Sequence, residues 1–163
     1  MEDDKKSQNF RIMQVFIIGT PLETAKALDA RRLNKQIIEG NQIMKAIVGE
    51  TKAWANHPCT QMYRANGYDI WLNAYLVCLE AYRNKDMEQA EEWNRVASRF
   101  TPPFHKEAYF NQMKRRLFTK NPEHYRQWAN LGTSDENWYF VGDEWRYYRN
   151  GKRISDEELI PMF

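Results

Sequence analysis

Apolar and polar positions divide the chain into stretches of different period. "MQVFIIG" (13–19) is a short apolar run rich in Val and Ile, too short to separate a strand from a buried extended segment. Gly19 breaks it. In "TPLE", Thr20 reads as an N-cap, Pro21 as the first helical residue and Glu23 as the closing member of a capping box. A short helix is expected to about Leu28. Asp29 caps a second, longer helix. Its apolar stripe is Leu33, Ile37, Met44 and Ile47, with Ile43 and Val48 beside it, and Gly49 is its stop. The opposite face carries Arg32, Lys35, Gln36 and Glu39 at steps of three and four.

"WANHPCTQMYRANGY" reads as a connector with a helical turn or two, His57 being extended before Pro58. "YDIWLNAYLVCLEAYRNK" predicts the central core helix, with Ile70, Trp71, Ala74, Tyr75, Cys78 and Tyr82 at helical steps. "DMEQAEEWNRVASRF" predicts an amphipathic helix whose Met87, Ala90, Trp93, Val96 and Phe100 face the core. After the Pro102-Pro103 break, "HKEAYFNQMKRRLFTKN" predicts a helix ending before Pro122; from Lys106 to Lys120 it holds five Lys/Arg against Glu107 alone. "PEHYRQW" is a last helical turn and "NLGTSDEN" a loop. The period then changes. "WYFVGDEWRYYRNGKRI" is aromatic and β-branched, with turn signals at Gly142-Asp143 and Asn150-Gly151, and predicts a hairpin. Ser155 with Glu158 frames a final helical turn. The expected fold is mainly α: a single compact helical domain with a small C-terminal β-hairpin. Its parts are a polar N-terminal extension (1–12), a helical domain (13–131), and an aromatic hairpin and tail packed on that domain (132–163).

Composition narrows the class. A chain of 163 residues, 42% hydrophobic and 14% aromatic, suits one folded domain rather than a disordered segment. Its apolar runs are too short to span a membrane, and "MEDDKKSQNFRI" has no secretory apolar core. Cys59 and Cys78 form no metal or redox spacing, so a reduced cytoplasmic chain is the simplest reading. The net charge is only +2, so any nucleic-acid binding must rest on local patches. A P-loop, a dinucleotide-binding glycine pattern and a nucleophile elbow are all missing, which argues against those enzyme types. No metal or other cofactor is implied.

Four constellations carry chemistry. In the Arg31, Arg32, Lys35 and Glu39 group, a carboxylate in the field of cations is expected to stay ionised. It can stabilise a developing cation or position a water at a sugar carbon. The same spacing also describes a solvated ion-pair face, worth a few tenths of a kcal/mol, roughly, per pair. His57, His105 and His124 share no metal-ligand spacing and lie near prolines, where helix-end hydrogen bonding is the commoner use. "NQMKRRLFTKNPEHYRQW" mixes cations with Phe118, His124, Tyr125 and Trp128, which suits phosphates and stacked bases, or else a solvated helix followed by core aromatics. Trp138, Tyr139, Phe140, Trp145, Tyr147 and Tyr148 of the hairpin close a core or form a protein interface.

Taken in order, "MQVF", "LDARRLNKQIIEGNQIMKAI", "WANHPCTQMY" and "PPFHKEAYFNQMKRRLFTKNPEHYRQW" resemble the pyrimidine-dimer DNA glycosylases related to the phage enzyme endonuclease V. The resemblance covers roughly residues 13–128. It implies a compact helical domain that excises a damaged base from DNA, in some members with strand cleavage afterwards. It makes Glu39 the catalytic carboxylate. It puts Arg31, Arg32 and Lys35, with Arg115 and Lys120, on DNA phosphates, and adds Gln36, His57, His105, His124 and Tyr125 to the DNA-contacting set. The implied partner is double-stranded DNA carrying a damaged or modified base, with no membrane; no oligomeric state follows. In the phage enzyme the N-terminal amine attacks the sugar, and the family start falls here at Met13-Gln14, so Gln14 takes the corresponding place. Twelve residues precede that point. The extension folds back or is removed, or Lys35 serves as an internal amine, or the lyase step is lost or changed, the outcome placed first. A non-catalytic DNA- or nucleotide-binding accessory protein that reuses the pocket is the competing expectation.

Overall fold

The computed structural model describes residues 14–154. The expected N-terminal extension and the Ser155–Glu158 cap lie outside the described residues. The elements are α1 (Pro21–Ala27), α2 (Ala30–Ile47), α3 (Pro58–Ala65), α4 (Asp69–Arg83), α5 (Met87–Ser98) and α6 (Glu107–Lys120). A 3₁₀ helix (Arg126–Leu131) follows, then β1 (Glu136–Val141), β2 (Glu144–Arg149) and β3 (Lys152–Arg153). The fold is mainly α with a small antiparallel sheet. Among the described residues no helix is long and apolar enough to cross a membrane.

Local signals produce the helix boundaries. The Thr20 hydroxyl accepts from the Glu23 N–H and the Glu23 carboxylate accepts from the Thr20 N–H, each at 3.1 Å, which completes the capping box. The Asp29 carboxylate accepts from the Arg32 N–H and starts α2. Gly49, at φ +85°, ends that helix in the left-handed conformation that glycine adopts without strain.

Helix α4 is the centre of the core. It packs against α1, α2 and α5, and buries Trp71, Leu72, Ala74, Tyr75, Leu76, Cys78 and Leu79. Gly40 lets α2 come close to it: a Cβ there would stand 2.2 Å from Leu76 Cδ2. Several expected core residues are exposed instead, namely Val48 (61%), Ile70 (53%), Met87 (40%) and Phe100 (44%). Each sits at or just beyond a helix end, where the neighbouring helices no longer cover the stripe.

The run at 14–17 is a buried extended segment, not a strand. A side chain does the work of a paired strand. Gln36 accepts from the Phe16 N–H (2.8 Å) and donates to the Gln14 carbonyl (2.7 Å), while the Tyr75 hydroxyl donates to the Phe16 carbonyl (2.7 Å). Gln36, expected on the polar face of α2, is therefore fully inside: the buried segment needs an amide that both donates and accepts.

Both turn signals near the C-terminus are used, so the expected hairpin is a three-stranded meander in the order β1-β2-β3. Asn150 and Gly151 both have positive φ, as a tight two-residue hairpin turn requires. The sheet is fastened to α3. Asn66 donates to the Phe140 carbonyl at 2.9 Å, and the Phe140 N–H points at Met62 Sδ at 3.0 Å.

Candidate active site

Helix α2 brings Arg32, Lys35, Gln36 and Glu39 to one side by its own periodicity. The buried segment 14–17 lies along that side, because Gln36 holds it there. The Glu39 side chain is consequently only 13% exposed, against 43% for Lys35, and their charged ends stand 3.8 Å apart. A backbone hydrogen bond from Gln14 also reaches the Glu39 carboxylate. Its Oε2 atom is buried with no hydrogen-bond partner.

Burial raises the Glu39 carboxyl above the usual carboxylate range; Lys35, Arg32, Lys120 and the Gln14 N–H pull the other way without cancelling it. The cations act in the sense expected from the sequence, but desolvation outweighs them. The Lys35–Glu39 ion pair is thus solvated at its lysine end and shielded at its carboxylate end.

A second helix completes the surroundings. Met113, Arg116, Leu117 and Lys120 form a stripe along α6 at steps of three and four. The stripe meets the segment that shields Glu39 at Met113, and the chain just after α6 meets the start of α2. Gln14 Nε2 donates to Met113 Sδ at 3.3 Å. Beyond Lys120, the Tyr125 hydroxyl donates to the Asp29 carboxylate and accepts from the Asp29 N–H, and His124 Nε2 lies 3.2 Å from the Ala27 carbonyl. The end of α6 is thus latched to the start of α2. Lys120 keeps part of its side chain in solvent. Partial burial, reinforced by Arg116, Arg32 and Lys35, nevertheless lowers its ammonium to about 8.

Arg116 is buried and its Nε has no partner; burial lowers its pKa. Arg32 lies over the Phe16 ring, with its Nη1 buried and unpartnered. Three cations, Arg32, Lys35 and Lys120, therefore act on one carboxylate. Such a group of cations attracts an anion such as a phosphate.

Of the residues singled out from sequence, Gln14, Arg32, Lys35, Gln36, Glu39 and Lys120 converge. Arg31 is exposed on α2. His124 and Tyr125 form the latch. His57 is wholly buried and caps α3, its Nδ1 accepting from the Cys59 N–H at 2.9 Å. His105 stands at the other end of α6, about 20 Å along the helix from Lys120, with its ring against Trp71 and Phe104. Burial there lowers its imidazole to about 3. Arg115 ties α6 to the 3₁₀ helix, donating to the Leu131 carbonyl at 2.8 Å and to Gln112 Oε1 at 3.2 Å. Its neighbour Arg116 is the arginine in the cluster. That residue was not singled out by sequence, although its four-residue step to Lys120 was a usable signal. No group of His, Cys, Asp and Glu able to hold a metal occurs among the described residues.

A family model described as pyrimidine dimer DNA glycosylase matches residues 13–94, about half of the chain. The matched part contains Gln14, all of α2 and Glu39, and stops within α5, so Arg116 and Lys120 lie beyond it. No curated protein and no solved structure matches the chain.

Proposed function

Because the chain belongs to the pyrimidine dimer DNA glycosylase family, we propose that it excises a damaged or modified base, such as a pyrimidine dimer, from duplex DNA, with Glu39 as the catalytic carboxylate. The observation that carries this reading is the shielded Glu39 carboxyl, one oxygen unpaired, in the field of Arg32, Lys35 and Lys120. Glycosidic bonds break through a state with positive charge on the sugar ring. A fixed carboxylate in a partly dry site stabilises that charge more than water does. Arg32 and the two lysines would meet the phosphates flanking the lesion, and Arg31 would extend the contact along the strand. The nucleotide must leave the stack to reach Glu39, and a lesion that already disturbs stacking lowers that cost.

Glu39→Gln keeps the size and hydrogen-bonding reach of the side chain but removes its charge. Base release from lesion-containing duplex should fall by about 10²-fold or more, with the circular dichroism spectrum and Tm near those of the wild type. An unchanged rate in that variant would overturn the assignment. One observation favours a second reading, a non-catalytic binder of DNA or nucleotide. Gln14, at the place of the family's reacting amine, is held as a backbone amide bonded to Glu39 and Gln36. Duplex binding without base release would decide for the binder.

A further inference from the structure

We propose that a small cavity between α1, α4, α5 and the start of α6 is a second binding site, one that takes a flat aromatic ring carrying a positively charged amine. None of its lining residues belongs to the group around Glu39. The proposal is independent of the glycosylase reading.

Several parts of the chain meet there. They are the turn before α1, the first turn of α1, the side of α4, the end of α5 and the connector into α6. Between them lies a cavity of about 200 Å³. Cavities for drug-sized ligands run to about 300–1,000 Å³, so this one suits a single ring or two fused rings. Buried Pro21 and Trp71 line it together with half-buried His105 and Phe110. The His105 ring stands edge-on to Trp71 with centroids 4.6 Å apart, and lies parallel to Tyr109 at 5.9 Å. Its Nε2 is buried with no hydrogen-bond partner. A wall that keeps an unsatisfied nitrogen, beside a space its own side chains leave open, is not packed for stability alone.

Charge selects the ligand. Glu23 carries the one charge among the lining side chains, because burial lowers the His105 imidazole to about 3 and leaves it neutral. The lining thus offers no cation to a phosphate or carboxylate. Glu23 Oε1 accepts from the Thr20 N–H at 3.1 Å, which leaves Oε2 for a ligand. A Cβ on Gly19 would stand 3.0 Å from that Oε1, so the glycine lets the carboxylate lie against the cavity edge. Exposed Ser98 and Thr101 add acceptors. Their hydroxyl protons go to the Arg95 carbonyl (2.6 Å) and the Ser98 carbonyl (3.3 Å), which leaves oxygen lone pairs free. Asn94, its oxygen taken by the Leu22 N–H at 2.9 Å, adds one amide donor. Aromatic walls below a carboxylate and two hydroxyl acceptors favour a ring that bears N–H donors and a positive charge.

The test titrates the full chain with tryptamine and follows backbone amide signals by NMR. Saturable binding is expected, with shifts centred on Gly19, Asn94 and Thr101. Indole-3-acetate has the same ring and the opposite charge, and should bind about tenfold more weakly or worse. Ser98→Trp, at the exposed mouth, should block tryptamine while Tm stays near that of the wild type. Glu23→Gln keeps a residue able to close the capping box. It should weaken tryptamine by about threefold and leave uncharged 3-methylindole unaffected. Equal affinity for tryptamine and indole-3-acetate, full binding by Ser98→Trp, shifts centred on α2, or no saturable binding overturns the proposal. Should Ser98→Trp fail to fold, Glu23→Gln decides: an unchanged ratio of tryptamine to 3-methylindole affinity overturns it.

Discussion

Gln36 illustrates how one residue can carry a site without reacting. Its amide accepts from the Phe16 N–H and donates to the Gln14 carbonyl, so it holds in place the segment that shields Glu39. Gln36→Leu should cost about 2–4 kcal/mol in chemical denaturation, since buried backbone groups lose their partners. It should also slow base release, because the Gln14 amide no longer steadies the carboxylate. His105 gives a prediction in pH. Its imidazole is lowered from 6.5 to about 3 by burial. The unfolded chain therefore binds more protons between those values, and stability falls as pH drops from about 6.5 toward 3. Full development amounts to on the order of 5 kcal/mol. Glu39, raised by burial, contributes the opposite slope, so the clean measurement is a comparison. Acid unfolding of His105→Phe should show a shallower fall over this window than the wild type. An identical profile would show that His105 is not the group responsible.

Among the elements, the contact between α2 and α4 and the latch between α6 and α2 matter most. Gly40→Ala would place a methyl 2.2 Å from Leu76 Cδ2. Alanine's better helix propensity contributes about 1 kcal/mol, and overpacking costs about 1–3 kcal/mol. Net destabilisation is expected, with Tm as the readout. Tyr125→Phe removes the hydroxyl that both donates to and accepts from Asp29. A loss of about 1–2 kcal/mol is expected, read by chemical denaturation. Element boundaries were largely legible in the chain, because Thr20, Asp29, Gly49 and Asn150-Gly151 act on their immediate neighbours. Coverage of element ends was not: Ile70, Met87 and Phe100 fit the apolar period and still face solvent. Their exposure depends on where neighbouring helices stop, which no local pattern contains.

At the scale of the whole molecule, the net charge of +2 conceals a local concentration of cations. Duplex affinity should therefore fall with salt, and Arg31→Gln, at an exposed position of α2, should reduce the slope of log K against log salt by about one. An unaltered slope would place Arg31 off the DNA. Sequence by itself determined most of the helices, the Thr20 and Asp29 caps, the change to strands near residue 136, and the Arg32–Lys35–Glu39 side of α2, because each follows from period or capping within a few residues. Only the tertiary structure decided that Glu39 is half-buried, that Gln36 points inward, and that Arg116 and Lys120 join the cluster while Arg115 and His105 do not. Those outcomes rest on contacts between distant parts of the chain: segment 14–17 against α2, Met113 of α6 against Gln14, and Tyr125 against Asp29. Desolvation and charge crowding, which set the chemistry of the site, arise only where such parts meet.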